Sequence, residues 1–283
     1  MNKETPITRR TSANRSRLSG EAVVKVLELL KGSNSVELKV IVPQGHRGAI
    51  PALGFDPVEA EPRQTYFFDT PDLALNKAGL IVRARRSPKG KGDTVVKLRP
   101  IDPAAIEAEL RHDEAFKIEV DVNPGGYVCS GSAKGRCTAQ DVLDVSEGKT
   151  PLRSIFTRRQ RDFFRAHAPE GLTMKDLVPL GPTFLLRLKQ QPKDFDRPVV
   201  VELWLHPDAS HILEISTKGT PEEAFQLGAQ FRAFIVNCGI PLQTKTTMKT
   251  TSALEFHTKN GARRSRVGGS NGKSAQPVAS PAV

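Results

Sequence analysis

The chain reads as a series of short segments in which apolar and polar positions alternate, the period of a strand with one buried face. Residues 35–42, SVELKVIV, put Val36, Leu38 and Val40 on one side and Ser35, Glu37 and Lys39 on the other, and Pro43 ends the run. Residues 65–69, 80–86, 94–99 and 116–122 repeat the pattern between turn-rich stretches such as SPKGKGD, and residues 183–190, 199–206 and 211–217 resume it after an interruption. Helical spacing appears at residues 21–31, EAVVKVLELLK, before Gly32 and Asn34, and again around 139–145 and 157–168. The best-signalled helix comes last: Thr220 as N-cap, Pro221 at the first helical position, Glu223 completing a capping box, an apolar series from Phe225 to Ile235, and stops at Gly239 and Pro241. Residues 44–62 predict a short helix and a loop broken by Pro51, Pro57 and Pro62. Residues 125–136, GGYVCSGSAKGR, miss the spacing of a phosphate loop and read as a flexible link.

Length and charge refine this picture. The 283 residues suit one or two domains, and the formal charge is +11, from 42 basic and 31 acidic residues. The excess sits mostly at the two ends, in Ser/Gly/Asn/Pro-rich stretches too poor in apolar residues to form a core. The expected organisation is a disordered basic arm over residues 1–20, a folded body over 21–257 with a helical insertion at about 123–182, and a disordered basic tail over 258–283. The body is nearly balanced, so no specific nucleic-acid partner is expected. No apolar run approaches the roughly 20 residues of a membrane span, and no secretory leader is evident. Cys129, Cys137 and Cys238 form no C-x-x-C pair, which points to a soluble, cytoplasmic protein without a disulfide framework. Cys129 lacks a neighbouring base and reads as a small core residue; His167, His206 and His211 lack metal-ligand spacing. In residues 157–168, Phe163 and Phe164 are expected to face inward and Arg158, Arg159 and Arg161 outward.

The polar side of the strands is unusually ionic. It carries Glu37 and Lys39; Arg83 and Arg85; Lys97 and Arg99; Lys117, Glu119 and Asp121; Arg187 and Lys189; Glu202; and Glu214. Two architectures accommodate it. One is an antiparallel sheet with a solvated face; the other is a barrel whose aliphatic face is covered by helices while the ions line a wet tunnel. In the second, Arg and Lys at alternate positions grip phosphate oxygens, and carboxylates hold Mg²⁺ or Mn²⁺ that bridges the phosphates.

Residues 65–86, TYFFDTPDLALNKAGLIVRARR, closely resemble the Y-F-D-T-P-x-x-x-L-x-x-x-G-x-x-x-R-x-R segment of the CYTH proteins, or triphosphate tunnel metalloenzymes. SVELK resembles their N-terminal E-x-E-x-K signature and VVKLRP their next lysine-bearing strand. The resemblance implies an α+β fold, an eight-stranded antiparallel β-barrel forming a triphosphate tunnel with flanking helices and a helical insertion. It implies a divalent-metal-dependent phosphohydrolase acting on inorganic triphosphate, short polyphosphate or an organic triphosphate, with Mg²⁺ or Mn²⁺. Carried over by position, Glu37, Lys39 and Lys97 are catalytic; Lys39, Arg83, Arg85, Lys97, Arg99, Arg187 and Lys189 bind substrate; Glu37, Glu119, Asp121, Glu202 and Glu214 hold metal. Lys245 or Lys249 resembles the family's C-terminal basic residue. The chain departs from the pattern at Ser35 and Ser216, where the family has acids, so both metal-binding pairs are halved. Two alternatives follow. A class IV type adenylate cyclase needs a base pocket, for which Trp204 is the candidate, although plugging the barrel end is the simpler role for that ring. A non-catalytic polyphosphate- or nucleotide-binding protein needs only the basic residues.

Overall fold

The computed structural model describes residues 20–43, 48–206, 208–243, 253–254 and 256–258. Its elements are α1 (Gly20–Lys31), β1 (Ser35–Val42), α2 (Ala49–Ala52), β2 (Glu61–Asp69), α3 (Ala74–Lys77), β3 (Leu80–Arg86), β4 (Lys91–Leu98), α4 (Ala108–Arg111), β5 (Phe116–Asn123), β6 (Gly126–Thr138), α5 (Ala139–Ser146), α6 (Arg158–His167), β7 (Val178–Gln190), β8 (Val199–Leu205), β9 (His211–Gly219) and α7 (Ala224–Asn237). The strands close into a barrel in the order β1-β5-β6-β4-β3-β2-β7-β8-β9.

The expected tunnel barrel with flanking helices is therefore present, with a correction to its strand count and direction. Among the described residues there are nine strands, not eight, and β1 and β5 run parallel while the other neighbours are antiparallel. An odd number of strands cannot alternate direction all the way round a closed ring, so one parallel pair is unavoidable.

The additional strand is β6, which occupies the Gly-rich stretch expected to be a link. Its glycines serve close packing. A Cβ on Gly135 would stand 2.5 Å from Gln160 Oε1 and 2.6 Å from Thr94 Oγ1, and one on Gly131 would stand 2.8 Å from the Phe116 ring. The insertion expected at 123–182 is corrected accordingly: its first part is β6, its last part opens β7, and the helices α5 and α6 lie between them. Both helices begin with complete capping boxes, Thr138 with Asp141 and Thr157 with Gln160. The box expected at Thr220 does not start α7, which begins at Ala224. Glu223 instead accepts from the Thr220 N–H and pairs with Arg197, which holds residues 220–223 as a turn. The expected arm and tail lie outside the described residues except at Gly20 and Thr258, as do Lys245 and Lys249.

The apolar core lies outside the barrel. Val36, Leu38 and Val40 of β1, Val82 and Ala84 of β3, Ile118 and Val120 of β5, Val199 and Val201 of β8 and Ile215 of β9 face away from the axis and join Leu30 of α1, Phe163 and Phe164 of α6 and Leu227, Phe231 and Ile235 of α7 in one buried cluster. Phe163 and Phe164 turn inward as expected, while Arg158 and Arg159 remain exposed. Among the described residues no helix is long and apolar enough to cross a membrane.

Gln160 ties α6 to the barrel. It is fully buried; its amide nitrogen donates to the carbonyls of Thr94 and Ala133 at 3.1 Å each, and its oxygen accepts from the Thr94 hydroxyl at 3.1 Å and the Thr157 N–H at 2.9 Å. Gln160→Leu keeps the bulk and strands these groups without partners, an expected loss of about 3 kcal/mol and a fall in Tm of roughly 5–10 °C. Thermal unfolding followed by circular dichroism tests this; an unchanged Tm would show that the bonds contribute nothing.

Candidate functional site

Strand alternation fixes what enters the barrel. With Val36, Leu38 and Val40 turned to the helices, Ser35, Glu37 and Lys39 must point to the axis, and the same logic runs round the ring. Every strand except β8 presents at least one Lys or Arg to the interior: Lys39, Arg63, Arg83 and Arg85, Lys97, Lys117, Lys134, Arg187 and Lys189, and Lys218. One end is filled by Phe67, Ile81, Leu180, Leu185 and Trp204, joined by Ala253 and Leu254. Stepping two residues along each strand from that plug reaches Arg83, Arg187, Glu202 and Glu214.

The centre of the site is a network on β1, β4 and β5. Lys39 Nζ lies 2.8 Å from Glu37 Oε2 and 2.7 Å from Asp121 Oδ1, and Lys97 Nζ lies 2.9 Å from the other Asp121 oxygen. Ser130 adds its hydroxyl to Asp121 at 3.2 Å. Towards the open end, Lys218 approaches Glu119 at 2.6 Å and Glu37 at 3.7 Å, with Lys134 3.9 Å from Glu119. On the facing wall Arg85 and Arg83 share Asp93 at 2.8 and 3.6 Å, Arg63 pairs with Glu61 at 2.8 Å, and Arg187 stands 3.8 Å from Glu202.

Burial and pairing compete in several of these groups. For Asp121, burial pushes its pKa up, but Lys39 and Lys97 outweigh it and hold the carboxyl well below the usual range. Glu119 follows the same pattern, with Lys218 and Lys134 overcoming burial. Burial pulls the Lys39 ammonium down, yet Glu37, Asp121 and Glu214 together raise it above its ordinary value. Arg83 has no such surplus: burial and the adjacent Arg85 lower it to about 10. Burial likewise lowers Lys97, Lys134, Arg99 and Arg187. Three buried guanidinium nitrogens, Arg63 Nε, Arg83 Nε and Arg86 Nε, have no hydrogen-bond partner, and the first two belong to residues on the tunnel face.

The expected residues largely share this tunnel. Glu37, Lys39, Arg83, Arg85, Lys97, Glu119, Asp121, Arg187, Glu202 and Glu214 lie on its face, Glu202 directly cross-strand from Glu214. Lys189 is exposed at the strand end, and Arg99 follows β4, half-buried and under the influence of Asp121 and Glu214. Trp204 is part of the plug, 3% exposed, with its indole N–H donated to Glu202 Oε2 at 3.1 Å; its covered ring offers no face to a nucleobase. His206 is buried against Phe256, ring centroids 5.4 Å apart. The Cys129 thiol is buried and pushed up to about 11, which keeps it protonated.

Sequence reasoning missed Arg63, Asp93, Lys134 and Lys218. Arg63 lies between Pro62 and the expected strand start at residue 65, although the alternation of Phe67 and Thr65 extends back to it. Lys218 continues the series Glu214, Ser216 past the expected strand end, and Lys134 continues Ser130, Ser132 through the glycines.

The carboxylates supply the hard oxygen donors that Mg²⁺ or Mn²⁺ takes. Their arrangement does not fit such an ion: Glu37, Glu119 and Asp121 each already carry ammonium contacts, Ser35 and Ser216 add no charge, and no group of three or more acidic, His or Cys side chains is placed to hold a metal among the described residues. The metal-ligand role expected for these acids is thus unsupported by their present contacts.

Among solved structures, the chain is similar to a candidate adenylyl cyclase from Hippeastrum described as having a dominant triphosphatase activity, at 15% identity over 81% of this chain and 96% of that one, TM-score 0.57. It is also similar to a candidate adenylate cyclase from Bacillus halodurans, at 14% identity over 78% and 97% of the two chains, TM-score 0.55. The likeness establishes the fold, a closed barrel with flanking helices of the kind that the resemblance of residues 65–86 implies. No protein-family model and no curated protein matches the chain.

The ion network sets an acid limit on stability. The folded-state pKa values of Asp121 and Glu119 lie below the unfolded values of about 4, so their stabilisation is complete above that pH and is lost as pH falls through the folded values. Asp121→Asn removes one of these proton-linked contributions and leaves two lysines short of a partner. The variant is expected to be less stable at pH 6, by about 3 kcal/mol, and to lose less than the native chain between pH 6 and pH 3. Urea unfolding at the two pH values decides it; equal losses in both chains would contradict the assignment.

Proposed function

We propose that the tunnel binds a triphosphate-bearing small molecule or short inorganic polyphosphate and that the protein is a phosphohydrolase acting on it. The observation that supports this best is the distribution of cations: Lys or Arg on all strands but β8, facing one another across a closed barrel, with Arg63 Nε and Arg83 Nε unpartnered. A chain of phosphates along the axis meets Arg83, Arg187, Lys39 and Lys97 near the plug and Lys134 and Lys218 towards the open end. Phosphate oxygens replace carboxylates as the partners of these groups and accept shorter, charge-assisted hydrogen bonds. Phosphoryl transfer asks a protein chiefly for position and for charge neutralisation on the equatorial oxygens, which rigid, already desolvated cations supply. The Hippeastrum neighbour's triphosphatase activity agrees with this reading. So does a cytoplasmic, reducing setting, given the three free thiols.

A second reading, binding without turnover, is favoured by Ser35 and Ser216 and by the ammonium contacts of the acids. The cyclase reading has lost its base-pocket candidate, since Trp204 is covered.

Orthophosphate and pyrophosphate release from inorganic triphosphate, ATP and thiamine triphosphate, each with Mg²⁺, Mn²⁺ or chelator, separates these. A phosphohydrolase releases orthophosphate, and Arg83→Ala and Lys97→Ala each lower kcat/KM by about 100-fold, the effect of removing one transition-state donor. Pyrophosphate from ATP would instead indicate a cyclase. Turnover unchanged in both variants would place the reaction outside the tunnel.

A further inference from the structure

The acids of the tunnel are arranged around cations that belong to the protein itself. Lys39 Nζ sits between Glu37 and Asp121 at 2.8 and 2.7 Å, bridging two carboxylates that pair across the parallel strands β1 and β5. A divalent ion shared by those acids would occupy the same place. The other Asp121 oxygen is held by Lys97, and Glu119 by Lys218. The two positions from which a further acid could join are serines: Ser35 directs its hydroxyl to Glu119 at 3.4 Å, and Ser216 is the cross-strand partner of Lys39.

We propose that the tunnel holds triphosphate as the metal-free anion, with the Lys39 ammonium standing in the place of a divalent cation. This rests on the triphosphate reading above and specifies the form of the ligand. Three observations support it. Lys39 is fixed by two carboxylates, so it can turn towards a phosphate oxygen without being stripped of water at that moment. Arg63 Nε and Arg83 Nε lack acceptors, and an uncomplexed triphosphate keeps free for them the oxygens that a bound Mg²⁺ would take up. The basic residues on the tunnel face outnumber the acidic ones, so the interior attracts the more highly charged, uncomplexed anion more strongly than its magnesium complex.

The test is isothermal titration of inorganic triphosphate into the full-length protein, once in EDTA and once in excess Mg²⁺, with Mn²⁺ alone as a third titrant. The expected result is saturable binding in EDTA with a Kd that Mg²⁺ leaves unchanged or weakens, and no saturable uptake of Mn²⁺ in the absence of phosphate. A Kd tightened more than about threefold by Mg²⁺, or stoichiometric Mn²⁺ binding to the free protein, overturns the inference and leaves the triphosphate reading standing. Absence of binding in both buffers overturns the two together.

Discussion

A carboxylate buried in a barrel must be paired or neutralised, and the tunnel is organised around one such group. Asp121 is 5% exposed and receives Lys39 on one oxygen and Lys97 on the other. Removing either lysine leaves a charge whose desolvation is no longer matched. Because the three residues come from β5, β1 and β4, their pairing also spans β6 and the parallel junction that closes the ring. Charge balance and barrel closure are thus one constraint. The same requirement explains why the apolar core lies outside the strands: with the interior given to ions, the aliphatic face of each strand has only the helices to bury it.

The ends of the tunnel are unlike, and that difference gives the site a direction. Phe67, Ile81, Leu185 and Trp204 continue inward-facing series that elsewhere carry Arg83, Arg187 and Glu202, so the change from ions to apolar side chains occurs within single strands. Trp204 marks the boundary, its ring in the plug and its N–H on Glu202. At the other end Lys134 and Lys218 are about half exposed, so on the proposed function their flexible stems would meet the anion before the more buried groups do.

Eight of the nine strands and most of the ionic face were legible from alternation, because period 2 is a direct consequence of one face meeting helices and the other meeting the axis. What was not legible has specific causes. Glycine in β6 was read as freedom, whereas Gly131 and Gly135 are there because Phe116 and Gln160 press on the strand; local composition cannot show a contact made by a helix more than twenty residues away. Once β6 is absent from the count, Lys134 has no strand to stand on, and the parallel pairing forced by an odd ring cannot be anticipated. Arg63 was missed because Pro62 marks the end of a loop in the sequence, whereas β2 begins before it at Glu61 and so includes Arg63. At Thr220 the sequence signal marked a turn: Glu223 accepts from the Thr220 N–H and also pairs with Arg197, distant in sequence, and α7 starts only after it.

The two serines are best understood through the charges around them. An acid at residue 216 would lie cross-strand from Lys39, and one at residue 35 would lie beside Glu119, so each would add a carboxylate beside acids that already have their cation partners. Unless a metal ion came with them, those charges would repel Glu119 and Glu214 and draw Lys39 and Lys218 further from the tunnel axis. With serine at both positions the lysines keep the partners they have, and any surplus of field inside the barrel is positive. On the proposed function, such a tunnel favours anions that bring many oxygens and little bound cation. Serine at residues 35 and 216 and the lysines on β1, β4, β6 and β9 are therefore parts of one electrostatic arrangement.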